Sequence, residues 1–413
     1  MCRIAMLSVH TCPLARLGSK DAGGMNVYVR ELSRHLGQNG MSVDVFTRRT
    51  DPKTPDIVDI DENARIVHLD AGPARRIHKS QVFQHLPEFI CSLREFKEKE
   101  RAEYRLIHSH YWLSGWVAGL LKLRWGMPHI AMFHTLGALK NDARPEEGES
   151  TLRIDIERKI IHTANAVVAS SEHEKRQMAA HYGADPARIR VVPCGVDLER
   201  FRPMDKARAR QELGIQARKI LLFVGRIEPL KGVDLLLKAV ARLDGETNDL
   251  LLLILGGELG QDEELTRLQI AAQRLGIKER VSFQGAVDQS RLPLYYNAAD
   301  ICIIPSHYES FSLVAAESLA CGTPVIASKV GGLDSVVYHL ENGLLVPWRR
   351  AEAFSQTIAE LSNDEALRKR LAKVARASVQ RFGWQSITQQ VLEIYDELAE
   401  SSAVSQFCRC GRW

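Results

Sequence analysis

Short apolar runs alternate with longer stretches of helical period through most of the chain, which is the pattern of parallel strands joined by crossover helices. An α/β fold is therefore predicted. In the first half the strand candidates are Arg3 to Val9, Val43 to Thr47, Arg65 to Leu69, Leu106 to Ser109, Ile130 to His134, Ala166 to Ala169 and Ile189 to Val192. The rhythm restarts with Lys219 to Val224, Leu250 to Leu255, Val281 to Phe283, Ile301 to Ile304 and Pro324 to Ala327. Between the halves runs Pro193-Cys194-Gly195-Val196-Asp197-Leu198-Glu199-Arg200-Phe201-Arg202-Pro203, whose prolines and glycine interrupt regular structure. A length of 413 residues exceeds one ordinary core. The expectation is two domains, 1–197 and 198–383, followed by a helix over 384–400 and a loose tail over 401–413.

Composition excludes several classes of function. A net charge of +4 over this length provides no concentrated basic face for nucleic acid. The longest aliphatic run, Leu250 to Leu255, is far short of the ~20 residues of a membrane helix, so no membrane span is expected and nothing requires a peripheral membrane contact. Eight cysteines without CxxC spacing read as reduced, mostly buried thiols in the cytoplasm. Small-molecule partners and a monomer or homodimer are expected.

Ligands of open α/β sheets bind beyond the carboxyl ends of the strands, so two such sheets facing a common cleft should carry their sites just after strands. Gly23-Gly24-Met25-Asn26 precedes a helix whose face is Met25, Val29, Leu32 and Leu36; it reads as a phosphate-binding helix start or as a plain tight turn. Gly225-Arg226-Ile227-Glu228-Pro229-Leu230-Lys231-Gly232 follows a strand directly, and its two cations can grip a diphosphate. Glu309-Ser310-Phe311-Ser312-Leu313-Val314-Ala315-Ala316-Glu317 opens another helix; Glu317 lies among apolar residues and needs a polar partner. Ribose hydroxyls would serve. In the first half, His108 and His110 share one strand face without an evident third metal ligand, and His134 ends a strand.

The ordered set of Gly-Gly, Pro-x-Gly-Val-Asp, Gly-Arg-x4-Lys-Gly and Glu-x7-Glu resembles the family-4 retaining glycosyltransferases of GT-B fold, over about residues 3 to 400. The resemblance implies two Rossmann-like domains facing a central cleft, a final helix (384–400) that packs back on the first domain, a nucleotide-sugar donor and no metal or other cofactor. It implies that Arg226 and Lys231 bind the diphosphate, Glu317 the ribose and Glu309 the donor sugar, with His134 near the sugar's 6-hydroxyl. Gly23, Gly24, Asn26, Ser310, Phe311, Ser312 and Leu313 complete the donor contacts, although Ser312 stands where family members commonly have glycine. Asp59-Ile60-Asp61 has the form of a metal-binding motif of transferases of another fold but reads here as a solvated loop.

Within the family the likeness is to enzymes that act on phosphorylated acceptors. Asp21-Ala22-Gly23-Gly24-Met25-Asn26-Val27-Tyr28 looks like the inositol-phosphate N-acetylglucosaminyltransferases of mycothiol synthesis, and His134-Thr135-Leu136-Gly137-Ala138-Leu139-Lys140 is similar to sucrose-phosphate synthases. Both point to Lys79, Tyr111, Thr135, Lys140 and Arg153 as holders of the acceptor's phosphate. The implied reaction moves glucose or N-acetylglucosamine from a UDP-sugar to inositol phosphate or fructose 6-phosphate. A lipid or polysaccharide acceptor, an NAD-dependent oxidoreductase and an inactive sugar-nucleotide sensor are the competing readings. The first of the non-transferase pair lacks the GxGxxG fingerprint.

Overall fold

The computed structural model describes residues 2–18, 22–243 and 249–410, with side chains to residue 400, so Asp21 and residues 411–413 lie outside the described residues. The first-half elements are β1 (Arg3–Leu7), α1 (Gly24–Gln38), β2 (Ser42–Arg48), β3 (Ile57–Asp61), β4 (Ala64–Leu69), α2 (Lys79–Val82), α3 (Leu86–Lys99), β5 (Leu106–His110), α4 (Tyr111–Trp125), β6 (His129–Met132), α5 (Gly137–Ala143), α6 (Thr151–Thr163), β7 (Ala166–Ala169), α7 (Glu172–Tyr182) and β8 (Ile189–Val191). The second half contributes α8 (Lys206–Leu213), β9 (Lys219–Val224), α9 (Val233–Ala241), β10 (Leu250–Leu255), α10 (Glu263–Arg274), β11 (Val281–Gly285), α11 (Leu292–Ala298), β12 (Ile301–Ile304), α12 (Leu313–Ala320), β13 (Val325–Ser328), β14 (Gly343–Val346), α13 (Ala351–Asn363) and α14 (Glu365–Ser378). A last helix, α15, spans Trp384–Cys410.

Two sheets result. The second is wholly parallel in the order β11-β10-β9-β12-β13-β14, so its first strand in sequence pairs with the second and the fourth. That is the doubly wound Rossmann order, and the order in which strands are added reverses between β9 and β12. The first sheet runs β3-β4-β2-β1-β5-β6-β7-β8 and has its reversal between β1 and β5. Strands covered on both faces must be continuously apolar, and Ile4 to Leu7 and Leu252 to Leu255 are almost wholly buried. Helix faces close the second core: Leu236, Val240, Leu265, Phe354 and Ile358 pack together against its strands.

The chain divides into two compact units, residues 1–15, 24–193 and 384–413 in one and 16–23 with 194–383 in the other. The expected partition at Asp197 thus moves to Pro193, and Arg16–Gly23 goes with the second unit because Gly257 N donates to Gly18 O at 3.2 Å. Three further sequence expectations are corrected. Asp59-Ile60-Asp61 is an antiparallel edge strand on β4 rather than a loop, with an irregular register that suits an acidic edge. The chain after residue 400 continues as helix to Cys410 instead of a loose tail. Of the six cysteines whose side chains are described, all free, only Cys194, Cys302 and Cys321 are buried, and Cys91 is exposed. Among the described residues no helix is long and apolar enough to cross a membrane.

Trp384, Ile387, Val391, Ile394 and Tyr395 make the buried stripe of α15. Trp384 lies 5.6 Å from the Tyr28 ring and stacks on His35 at 5.8 Å, while the Tyr395 hydroxyl bonds His108 Nδ1 at 2.8 Å. The helix is thus anchored in the first unit by aromatic packing. Trp384→Ala should destabilise the protein by roughly 3–5 kcal/mol, the usual cost of emptying a buried aromatic site, in urea denaturation. A loss below about 1 kcal/mol would mean that α15 is not part of this core.

Candidate active site

In the second unit the site residues stand on three loops that leave the carboxyl ends of β9, β12 and β13. The first loop carries Arg226 and Lys231 and ends at Gly232, whose φ of 68° is left-handed. A Cβ there would run into the Pro305 carbonyl, so only glycine lets the β9 and β12 loops meet. They are then tied by His307 N donating to Leu230 O at 2.8 Å. Across this tie Lys231 Nζ donates to Glu309 Oε1 at 2.7 Å, and Ser306 Oγ donates to the same oxygen at 2.8 Å. The β13 loop closes from behind: Gly332 N donates to Glu309 O at 2.8 Å, and Gly331 lies too close to that carbonyl to carry a side chain.

Arg226 pairs with Glu228 at 2.9 Å and keeps 31% of its side chain exposed, as Lys231 keeps 21%. Both cations are therefore oriented by a carboxylate yet reachable. Gly23 lies against the Arg226 side chain, since a Cβ on it would come within 3.2 Å of Nε. The helix α12 begins beside Lys231's partner, with Ser312 as N-cap and its Oγ accepting from Ala315 N at 3.3 Å. Ser312 has φ 151°, a backbone state that favours glycine, which explains the family's preference there; the cap offsets part of the cost. Phe311 is buried and packs edge-on against Phe382 at 5.2 Å, so what it can present to a ligand is its backbone amide. Ser310 precedes it in the loop, and Leu313 is the first residue of α12.

Glu317 does have the polar partner its apolar surroundings demand, but a protein one. The Tyr296 hydroxyl donates to its Oε2 at 2.8 Å. Burial pushes the Glu317 pKa up to about 7, against the opposing hydrogen bond from Tyr296.

The first unit assembles its own set. Gly24 opens α1, and Asn26 in its first turn is buried, with Nδ2 donating to Thr11 Oγ1 and Cys12 O at 2.8 Å each; its amide fixes the loop after β1. His134 is not in a strand: β6 ends at Met132 and His134 has φ 61°. It shares a hydrogen bond with His110 Nδ1 at 3.0 Å, and burial pushes its pKa down to about 3, so the ring is neutral. His134 thus gives His110 a second histidine neighbour beside His108, but among the described residues no three His, Cys, Asp or Glu side chains are arranged to hold a metal. Tyr111 begins α4 with φ 76°. Among the described residues, three of the six non-glycine ones with positive φ, Tyr111, His134 and Ser312, are site candidates, as strained backbone at functional positions would have it.

Arg153, fully buried, organises the remaining candidates. Its guanidinium lies 4.8 Å over the Tyr111 ring, and Nη2 donates to Thr135 O at 2.8 Å and Thr135 Oγ1 at 3.2 Å. Nε donates to Glu157 Oε1 at 2.7 Å, and Glu157 Oε2 in turn accepts from Gly137 N and the Tyr182 hydroxyl. Lys79 and Lys140 complete the group through Glu149: Lys140 Nζ is 2.6 Å, Arg153 Nη1 2.8 Å and Lys79 Nζ 3.8 Å from the one oxygen Oε1. All five residues expected to hold a phosphate are thereby gathered in one cluster. Glu149, Glu157, Ser306 and Tyr296 were not anticipated. Glu157 and Glu149 each carry a signal, the i,i+4 spacing on either side of Arg153.

Comparison with known proteins identifies the family. Residues 22–200 match the family described as Glycosyltransferase Family 4, and residues 205–378 match Glycosyl transferases group 1. D-inositol 3-phosphate glycosyltransferase 2 of Catenulispora acidiphila is 42% identical, over 96% of this chain and 95% of that protein. D-inositol 3-phosphate glycosyltransferase of Xylanimonas cellulosilytica is 40% identical, over 95% and 96%. Among solved structures, sucrose-phosphate synthase from Thermosynechococcus elongatus superposes with a TM-score of 0.91 at 37% identity, covering 97% of this chain and all of that one. With its two Rossmann-like sheets and these relatives, the chain belongs to the family-4, group 1 glycosyltransferases of GT-B fold.

Proposed function

We propose that this glycosyltransferase moves a hexosyl unit, glucose or N-acetylglucosamine, from a UDP-sugar to a phosphorylated sugar or polyol with retention at the anomeric carbon. The observation that carries the acceptor class is the convergence of Lys79, Lys140 and Arg153 on a single carboxylate oxygen, because three cations around one anion form a seat for a phosphate monoester. Tyr111 and Thr135 border it. Two acceptors are favoured by specific likenesses: inositol 3-phosphate by the names of the curated relatives, and fructose 6-phosphate by the sucrose-phosphate synthase structure.

On the donor side, Arg226, Lys231 and the amides at the start of α12 stabilise the departing diphosphate, with Gly23 and Gly24 allowing its close approach. Their carboxylate neighbours Glu228 and Glu309 are each paired with a cation, an arrangement suited to an anion and not to a divalent ion. Glu309, held by Lys231 and Ser306, keeps its second oxygen for the sugar's hydroxyls. The bond from the anomeric carbon to the diphosphate breaks, and the acceptor hydroxyl oxygen forms the new bond on the same face. The hydroxyl proton passes to the leaving diphosphate oxygen. Glu317 accepts from ribose hydroxyls.

Incubation with UDP-glucose or UDP-N-acetylglucosamine, each with fructose 6-phosphate or inositol 3-phosphate, should release UDP in at least one combination. No release in any combination would overturn the acceptor class. Lys231→Ala should lower kcat by about 10²–10³ without loss of fold, since removing one donor to a developing anion typically has that effect; near-wild-type turnover would remove Lys231 from the mechanism. Glu317 ionises as pH rises through about 7, and a carboxylate accepts ribose hydroxyls better than the neutral acid does. Donor affinity measured by calorimetry should therefore strengthen from pH 6 to 8 in the wild type and stay flat in Glu317→Gln. An equal pH slope in both proteins would contradict the role.

A further inference from the structure

Glu149 stands where the acceptor's phosphate is proposed to sit, and its own contacts are unusual. Its backbone is clamped by Asn141, whose Nδ2 donates to Glu149 O at 3.2 Å while Oδ1 accepts from Glu149 N at 2.5 Å. The main chain is thus fixed independently of the side chain. The carboxylate meets Lys140, Arg153 and Lys79 with one oxygen only. Moreover, Arg153 Nη1, although 2.8 Å from that oxygen and fully buried, has no aligned hydrogen-bond partner. A buried guanidinium nitrogen held by charge without an aligned bond is an incompletely satisfied donor.

Charge supports the same reading. Lys79, Lys140 and Arg153 face the carboxylates of Glu149 and Glu157, which leaves one net positive charge. Glu157 is locked by Arg153, Gly137 and Tyr182 and cannot leave. A phosphate monoester carries nearly two negative charges at neutral pH, so adding it beside both carboxylates would make the cluster negative. Replacing Glu149 leaves the cluster neutral, and the phosphate's additional oxygens can reach the Arg153 nitrogen that Glu149 serves poorly. The surrounding cations also keep Glu149 ionised, with a pKa lowered to about 2, so it is an anion at every working pH.

We infer that the Glu149 side chain is a resident anion of the acceptor-phosphate seat, one that an incoming phosphate monoester displaces by rotating it away while Asn141 holds the backbone. It acts as a specificity residue. It holds the cations in place between turnovers, and a ligand with a single negative charge gains little by exchanging with it, whereas a dianion gains both charge and hydrogen bonds. The inference rests on the proposed acceptor class only for the identity of the ligand; displacement of Glu149 by phosphate can be measured without any turnover.

Calorimetric titration of the full chain with inorganic phosphate and, separately, with fructose 6-phosphate and inositol 3-phosphate tests this in wild type, Glu149→Gln and Glu149→Ala, with thermal unfolding of each to establish folding. Both variants should bind inorganic phosphate about tenfold tighter than the wild type, because the ligand no longer competes with a resident carboxylate. Both should also bind acetate, a single-charge probe, more tightly than the wild type does. Unchanged or weaker phosphate binding in both folded variants, or no phosphate binding by any of the three proteins, would overturn the inference. Tighter phosphate binding by the variants with no turnover of either sugar phosphate would sustain it while sinking the acceptor assignment.

Discussion

Parallel pairing of strands is the constraint from which the rest of the molecule follows. When every interior strand runs the same way, all their carboxyl ends emerge at one edge, and the loops there can be built from side chains with no duty in the core. In the second sheet the strand order reverses between β9 and β12, and the loops leaving those two strands carry Arg226, Lys231 and Glu309. In the first sheet it reverses between β1 and β5, whose ends lead to the Asn26-anchored loop and to His110 and Tyr111. The sites are thus placed by topology before any side chain is chosen.

A second regularity is that the cations proposed to bind substrate anions are held by carboxylates. Lys231 has Glu309, Arg226 has Glu228, and Arg153 has Glu157 within the fold and Glu149 at the seat. An unpaired buried guanidinium would be costly, whereas a paired one is both tolerated and oriented. The two kinds of partner differ in consequence. Glu157 is engaged from three sides and is part of the structure, while Glu149 touches its cations through one oxygen from a separately clamped backbone.

Much of this was legible in the sequence because it is local. The central strands are continuous aliphatic runs, and Gly-Arg-x4-Lys-Gly directly after such a run fixes both its position and its chemistry. What the sequence did not disclose depends on approach between distant segments. Tyr296 and Glu317 are brought together only by packing of α11 against α12, so the sequence shows that the carboxylate needs a polar partner but not that a tyrosine supplies one. Glu149 is an ordinary glutamate before a helix until Lys79, Lys140 and Arg153 arrive from three separate helices. The edge strand β3 lacks an apolar run because only one side of it is paired, and its aspartates read as loop. Ser312 was marked as a departure from glycine, but the positive φ that explains the preference belongs to the backbone.

Recognition of the acceptor through its phosphate is the claim to which the Lys79, Lys140 and Arg153 cluster is most directly tied. The measurement that tests it is kcat/KM for a phosphorylated acceptor against the same acceptor without its phosphate, with one donor at saturation. Loss of a doubly charged group from a seat of three cations should lower kcat/KM by about 10³ or more, and Arg153→Met should reduce that preference strongly. Comparable kcat/KM for the two acceptors in the wild-type protein would contradict the assignment.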